Sequence, residues 1–255
     1  MIFDSHMHSE FSTDSSMHIE DAIAMSKKNN IGITLTEHVD LNYPVLDEFR
    51  CDIPNYLSTY DKYRSDSLLL GIEIGLAEDI YNGVNEITNS FNFDYVIGSI
   101  HSINNMDIYN QYRYAKYNKK EYFQNYLDYM LKCCKLYNNF DALGHIDYLC
   151  RYSPFDNNEI LVADYKDTLA EIMKTLIAKG KVLELNTKRL NSKDAFSSLM
   201  DIYSLYKDLG GKYVTLGSDA HTSSDIFKNF DLSKAMIDKI GIRGIYFKER
   251  SPQYF

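Results

Sequence analysis

No run of apolar residues in this sequence approaches the ~20 that a membrane-spanning helix needs. A basic segment followed by an apolar core is also missing at the start, because Asp4 and His6 interrupt the apolar residues almost at once. A cytoplasmic protein with no membrane partner is expected. Basic residues are in deficit: the net charge is −9 and the isoelectric point near 5.2. That balance argues against a nucleic-acid-binding surface. It remains compatible with an anionic substrate, since bound divalent cations invert the local field. Cysteine is scarce and unpatterned, at Cys51, Cys133, Cys134 and Cys150 with no C-x-x-C spacing. Reduced thiols in a packed interior are the reading this supports, so any metal must be held by histidine and carboxylate. No repeat, low-complexity tract or linker interrupts the 255 residues, and a single domain over 1–255 is expected.

Strand and helix signals alternate along the chain. The run Ile2-Phe3 opens a first strand, and a helix starting at Ser16 or Asp21 ends at Asn29-Asn30. Ile31 to Thr36 forms the second strand, and a looser stretch with Pro44 and Pro54 leads to a helical segment ending near Asp66. Leu68 to Ile74 is the third strand, a helix covers Asp79 to Ser90, and Tyr95 to Ile100 is the fourth strand. Residues 103–118 lack a clean period and carry Tyr109, Tyr112, Tyr114 and Tyr117. They read as a loop that either closes over a substrate or packs onto neighbouring helices. A helix with an apolar face of Tyr122, Phe123, Tyr126, Leu127, Met130, Leu131 and Cys134 precedes a fifth strand, Phe140 to Asp147. Another helix stops at Gly180, Lys181 to Asn186 is the sixth strand, a helix reaches Leu209, and Tyr213 to Ser218 is the seventh. A last short helix and the run Gly244 to Phe247 close the chain. This order implies parallel pairing through right-handed crossovers, hence an α/β barrel with its chemistry at the C-terminal strand ends.

The histidines fit that rule. His6 and His8 follow strand one, His38 ends strand two, His101 ends strand four, His145 ends strand five and His221 follows strand seven. Of the seven histidines only His18 lies elsewhere, and it reads as a surface residue at a helix start. Residues two apart on extended backbone face the same way, so His6 and His8 project together, as do Asp219 and His221. Glu73 lies near the end of strand three. Any one of these could be a structural histidine or a backbone-capped carboxylate; their joint placement points to a metal cluster. The donors outnumber the roughly four that one zinc takes, so two or three ions are needed.

The motifs Asp4-Ser5-His6-Met7-His8-Ser9, Thr36-Glu37-His38, Gly71-Ile72-Glu73, Gly98-Ser99-Ile100-His101, Gly144-His145-Ile146-Asp147 and Gly217-Ser218-Asp219-Ala220-His221 resemble the polymerase-and-histidinol-phosphatase (PHP) family. They occur in that family's order and run from residue 4 to 221, and the chain is most similar to its stand-alone histidinol-phosphate phosphatases. The resemblance implies a distorted (β/α)7 TIM-like barrel with three divalent metal ions (zinc, manganese or iron). One ion is implied on His6, His8, Glu73 and Asp219, a second on Glu73, His101 and His145, and a third on Asp14, His38 and His221. Glu73, Asp219 and His38 are then the residues at the reacting centre. Without the resemblance, Asp14 reads equally as a turn or helix-start residue within Ser12 to Ser16.

The implied chemistry is hydrolysis of a small-molecule phosphate ester, with L-histidinol phosphate the first choice. A nucleotide or phosphotyrosine is the alternative substrate, and a metal-binding regulator without turnover is the alternative class. Arg151, and Lys188 with Arg189 beyond strand six, sit where loops at the strand ends reach a phosphate, and read equally as solvated loop charges. Where histidinol phosphatases commonly carry Asn-Thr-small-Gly-Leu-Arg, this chain reads Asn186-Thr187-Lys188-Arg189-Leu190, which displaces the arginine.

Overall fold

The strands are β1 (Phe3–Asp4), β2 (Gly32–Val39), β3 (Leu68–Gly75), β4 (Val96–Ser99), β5 (Ser102–Ile103), β6 (Met106–Asp107), β7 (Ala142–Leu143), β8 (Val182–Asn186), β9 (Tyr213–Gly217), β10 (Arg243–Lys248) and β11 (Ser251–Tyr254). Those of the barrel wall are largely buried, whereas β6 and β11 are largely exposed. The computed structural model describes residues 1–45, 47–111 and 118–255. Its main sheet has the order β1-β2-β3-β4-β7-β8-β9-β10-β11, parallel throughout except for the final β10–β11 hairpin. Every residue of β2 and β3 is buried, as strands covered on both faces must be.

Helices α1 (Ile19–Asn29), α2 (Ile53–Tyr60), α3 (Tyr81–Ser90), α4 (Ile108–Gln111), α5 (Lys119–Leu136), α6 (Val162–Ala178), α7 (Lys193–Asp208) and α8 (Phe230–Ile240) fill the connections. Their ends follow local chemistry. The Asn118 side chain accepts from Glu121 N at the start of α5, and Ser192 from Ala195 N at the start of α7. Asn30 ends α1 and Gly241 ends α8 in the left-handed conformation (φ 53° and 79°) that halts a helix. The α5 face of Tyr122, Phe123, Tyr126, Leu127, Met130 and Cys134 is buried as its periodicity requires, Cys133 is buried with it, and Leu131 is only partly buried. No helix among the described residues is long and apolar enough to cross a membrane.

Closure of the sheet sets up the site. Ser5 N donates to Leu216 O, Asp219 N to His6 O and His8 N to Ala220 O, each at 2.8 Å, so the chain after β1 joins the far end of β9. The near end of β9, Tyr213 to Thr215, pairs instead with Arg243 to Ile245 of β10. The barrel is therefore distorted, closed between β1 and β9 at the top and splayed by β10 at the bottom. The β10–β11 hairpin plugs that bottom, with Tyr246 stacked on Phe3 at 3.8 Å and Phe247 on Tyr95 at 5.4 Å. Its turn residues Glu249 and Arg250 both have positive φ, held by their amides donating to Asp94 and by Arg250 pairing with Asp141. The terminal run Gly244 to Phe247, with no partner assigned by sequence, is this plug.

Two further expectations change. The fifth strand spans only Ala142–Leu143, not Phe140 to Asp147. Gly144 N still donates to Gly98 O, but His145 N turns inward to Glu184 Oε2 at 2.7 Å, and the chain passes into a 3₁₀ turn, Tyr148–Arg151. The 103–118 stretch holds the tail of the β5–β6 hairpin and α4, so it is not all loop. Tyr112, Tyr114 and Tyr117 lie outside the described residues.

Candidate active site

The parity read in His6-x-His8 is realised by the extended chain that bonds to β9. Met7 points away into the core, and the two imidazoles meet with Nε2 atoms 3.1 Å apart. Parallel register places His38 of β2 opposite Glu73 of β3, and Glu73 opposite Ile97 of β4. Glu73, fully buried, is the hub. Its Oε2 lies 3.2 Å from His6 Nε2, 3.5 Å from His8 Nε2 and 3.0 Å from His38 Nδ1, while Oε1 lies 2.9 Å from His145 Nε2 and 3.3 Å from His101 Nε2. Asp219 Oδ1 approaches His8 Nε2 at 3.5 Å and His6 Nε2 at 3.9 Å. Asp219 has left-handed backbone (φ 54°), a conformation Asp tolerates, with its amide tied to His6 O. Asp14 Oδ2 lies 2.9 Å from His221 Nε2 and 3.6 Å from His38 Nε2. His18 is apart from all of these, exposed and paired with Glu10.

The hydrogen bonds on the far side of each ring decide which nitrogen carries the lone pair. His6 Nδ1 faces Glu184 Oε1 at 2.6 Å, His101 Nδ1 faces Asp40 Oδ1 at 3.0 Å, and His221 Nδ1 faces Asp219 O at 2.9 Å. Those partners only accept, so Nδ1 is the donor in all three. His8 Nδ1 faces Ser12 Oγ at 3.2 Å, and the Ser12 hydroxyl is already donated to Glu37 Oε2, so His8 also donates from Nδ1. Nε2 is therefore the nitrogen that His6, His8, His101 and His221 turn toward the carboxylates and one another, and the one each neutral ring offers to a metal. Buried carboxylates and imidazoles packed this closely need positive charge among them. Without metal it is carried by protons: against burial, His6 and His101 are raised well above the ordinary histidine range by Glu184 and Asp40 respectively and by Glu73. Glu73 Oε2 and His38 Nδ1, though close, make no hydrogen bond among the described residues. This donor set, with its outer nitrogens held by carboxylates and carbonyls, fits divalent metal ions. Among the described residues, three groupings have donors close enough to share an ion: His8 with His38 and His221, His6 with His8 and Glu73, and His38 with Glu73 and His101.

Charge follows geometry. Burial opposes ionisation of Glu73, but His6, His101 and His38 hold it well below the usual carboxylate range. For Asp219 burial is likewise outweighed, here by Arg151 and Lys188. Burial, then the neighbouring His38 and His221, drives His8 well below the ordinary histidine range, which keeps it neutral. His38 goes the other way: against burial, Glu73 and Asp14 push it up to about 10.

Above the cluster opens a cavity of about 530 Å³. On its wall Arg151 Nη1 lies 2.6 Å and Lys188 Nζ 3.7 Å from Asp219 Oδ2. Asp107 and Glu48 line it too, with Tyr43, Phe49, Tyr109 and Tyr152. Arg189 is not on the cavity wall, although its neighbour Lys188 is. Its guanidinium is turned onto Asp147 and Glu159 instead, which departs from the phosphate contact expected of it.

Sequence reading left out Glu184, Asp40 and the outward role of Glu37, the carboxylates that orient His6, His101 and, through Ser12, His8. Signals were present. Glu184 is an acid inside the apolar strand Val182–Asn186, and Asp40 follows His38 at the two-residue spacing that keeps a common face.

A family model described as the PHP domain matches residues 4–188. The chain is 43% identical over 254 residues, covering all of both sequences, to a probable histidinol-phosphatase of Clostridium acetobutylicum. It is 30% identical over 250 residues to a histidinol-phosphatase of Lactococcus lactis, covering 93% of this chain and 91% of that one. Among solved structures it resembles the histidinol phosphate phosphatase of Lactococcus lactis complexed with zinc, L-histidinol and phosphate. That match has a TM-score of 0.93 at 28% identity over 99% of this chain and 98% of the other. With the motifs, the barrel and the convergent donors in agreement, the chain belongs to the PHP domain family.

Proposed function

We propose that this protein is a metal-dependent phosphomonoesterase that hydrolyses L-histidinol phosphate to L-histidinol and phosphate. The observation that carries this reading is the cavity over the donor cluster, whose wall bears both cations, Arg151 and Lys188, and carboxylates, Asp107 and Glu48, in a chain similar along its whole length to an enzyme crystallised with zinc, L-histidinol and phosphate. Histidinol phosphate likewise carries both charges, with a phosphate dianion at one terminus and an ammonium and an imidazole at the other.

Zinc is the ion we assign. His6, His8, Glu73 and Asp219 would hold one ion, Glu73, His101 and His145 a second, and Asp14, His38 and His221 a third. When bound, such ions supply Lewis acidity toward phosphate oxygens and acidify water so that hydroxide is available near neutral pH. The remaining tasks fall to side chains. Arg151 presents a planar fork suited to two phosphate oxygens, and Lys188 adds a second positive charge as negative charge builds on the phosphoryl group. Glu184, Asp40 and the Ser12–Glu37 pair hold the imidazoles in one tautomer and orientation, so the donors need no rearrangement. Asp107 and Glu48 attract the cationic end of the substrate, and the rings of Tyr43, Phe49, Tyr109 and Tyr152 offer faces for the imidazole.

Comparing turnover efficiency on histidinol phosphate, mononucleotides and phosphotyrosine tests this reading, with and without a chelator. Histidinol phosphate is expected to exceed the others, and chelation to abolish release of phosphate from all. A nucleotide or phosphotyrosine turned over with higher kcat/KM would replace the substrate assignment.

A further inference from the structure

The turn that delivers Arg151 to the cavity is held from outside the cavity. It begins at Asp147 and ends at Arg151, whose Nη1 lies 2.6 Å from Asp219 Oδ2 and whose Nη2 donates to Asn186 Oδ1 at 3.2 Å. Asn186 Oδ1 also accepts from Lys188 N at 3.1 Å, so both cavity cations are referenced to one amide at the end of β8. The Asp147 carboxylate is buried and does not cap the turn it starts. It accepts from Arg189 Nη1 at 2.6 Å. The other arm of the same guanidinium, Nη2, donates to the carboxylate of Glu159, also buried. One side chain just past β8 thus grips the segment 147–159 on either side of Arg151. Both arms are used on buried carboxylates, and Arg189 does not line the cavity.

We propose that Arg189 is a positioning residue: by clasping Asp147 and Glu159 it fixes the turn that presents Arg151 to the phosphate, and it does not touch the substrate. The proposal rests on the phosphatase reading for Arg151's role. A displaced Arg151 loses part of its charge-assisted contact with the anion, so a remote clasp affects phosphate affinity as well as geometry.

The test measures binding of inorganic phosphate to the zinc-loaded protein by calorimetry, which requires no turnover. Arg189→Met and Asp147→Asn are each expected to weaken phosphate binding roughly tenfold, with zinc content unchanged. In an Arg151→Ala background, adding Arg189→Met is expected to cost nothing further, because the group it positions is gone. An additive loss in that background, or tighter phosphate binding in Asp147→Asn as a freed Arg189 swings to the anion, would overturn the clasp. So would full phosphate affinity in Arg189→Met or in Arg151→Ala. If Arg189→Met does not fold, Arg189→Lys keeps the charge but reaches one carboxylate only; a partial loss that vanishes without Arg151 is expected, and a loss persisting without it refutes the proposal. Failure of histidinol phosphate as substrate would leave these phosphate measurements intact, so the two readings fail separately.

Discussion

Glu184 Oε1 lies 2.6 Å from His6 Nδ1, while the other oxygen of the same carboxylate accepts from His145 N at 2.7 Å. One buried acid on β8 thereby sets the orientation of donors that belong, in the proposed assignment, to different ions. It also fills the space beside Gly217, where a Cβ would come within 2.3 Å of Glu184 Oε1.

Glu184→Gln is expected to weaken zinc binding by roughly 10- to 100-fold, the usual cost of losing an outer carboxylate partner. The amide cannot accept from His6 and His145 N while keeping the charge that makes the imidazole a better donor. Competition against a chelator of known affinity measures the change; unaltered zinc affinity would remove Glu184 from the site.

Metal loading is expected to release protons. In the metal-free site His38 is pushed up to about 10 from an ordinary 6.5, so it is protonated across the neutral range. A protonated ring has no lone pair for a metal, so His38 must lose its proton on binding, and zinc affinity is expected to rise with pH until that value is passed. Calorimetric titrations in buffers of different ionisation enthalpy count the protons. A buffer-independent heat near pH 7 would contradict the involvement of His38.

Asp107 is half-buried beside the cavity, and its carboxyl is raised by burial despite the Tyr109 amide and His101 nearby. Asp107→Asn is expected to raise KM for histidinol phosphate about tenfold, in line with losing a charge-assisted contact of roughly 1.5 kcal/mol. An aryl phosphate lacking a cationic end should be turned over as before. Equal losses on both substrates would assign Asp107 to the α4 loop rather than to recognition.

Phe247→Ala removes a ring stacked on Tyr95 in the plug and not on the cavity wall. A destabilisation of about 3–5 kcal/mol is expected from the cavity left behind. Chemical denaturation measures it, and zinc stoichiometry of the folded fraction should be unchanged. A cost under about 1 kcal/mol would mean that the hairpin covers the barrel without supporting it.

The residues that converge on the candidate metals could be found in the sequence because their placement is a local matter. Extended backbone puts His6 and His8 on one face whatever lies around them, and a strand end that faces the cavity carries its histidine there. The alternation of strands and helices likewise implied the parallel barrel before any contact was known, since parallel strands require crossovers. What only the tertiary structure decided are pairings between distant parts of the chain. Glu184 meets His6 across 178 residues, and Arg250 meets Asp141 across 109. Arg189 is the clearest case. A cation one residue from Lys188, past the end of the same strand, is indistinguishable from a phosphate ligand until Asp147 and Glu159 are brought beneath it. Periodicity reports which way a side chain leaves its own backbone; which charge awaits it depends on how segments far apart in the chain pack together.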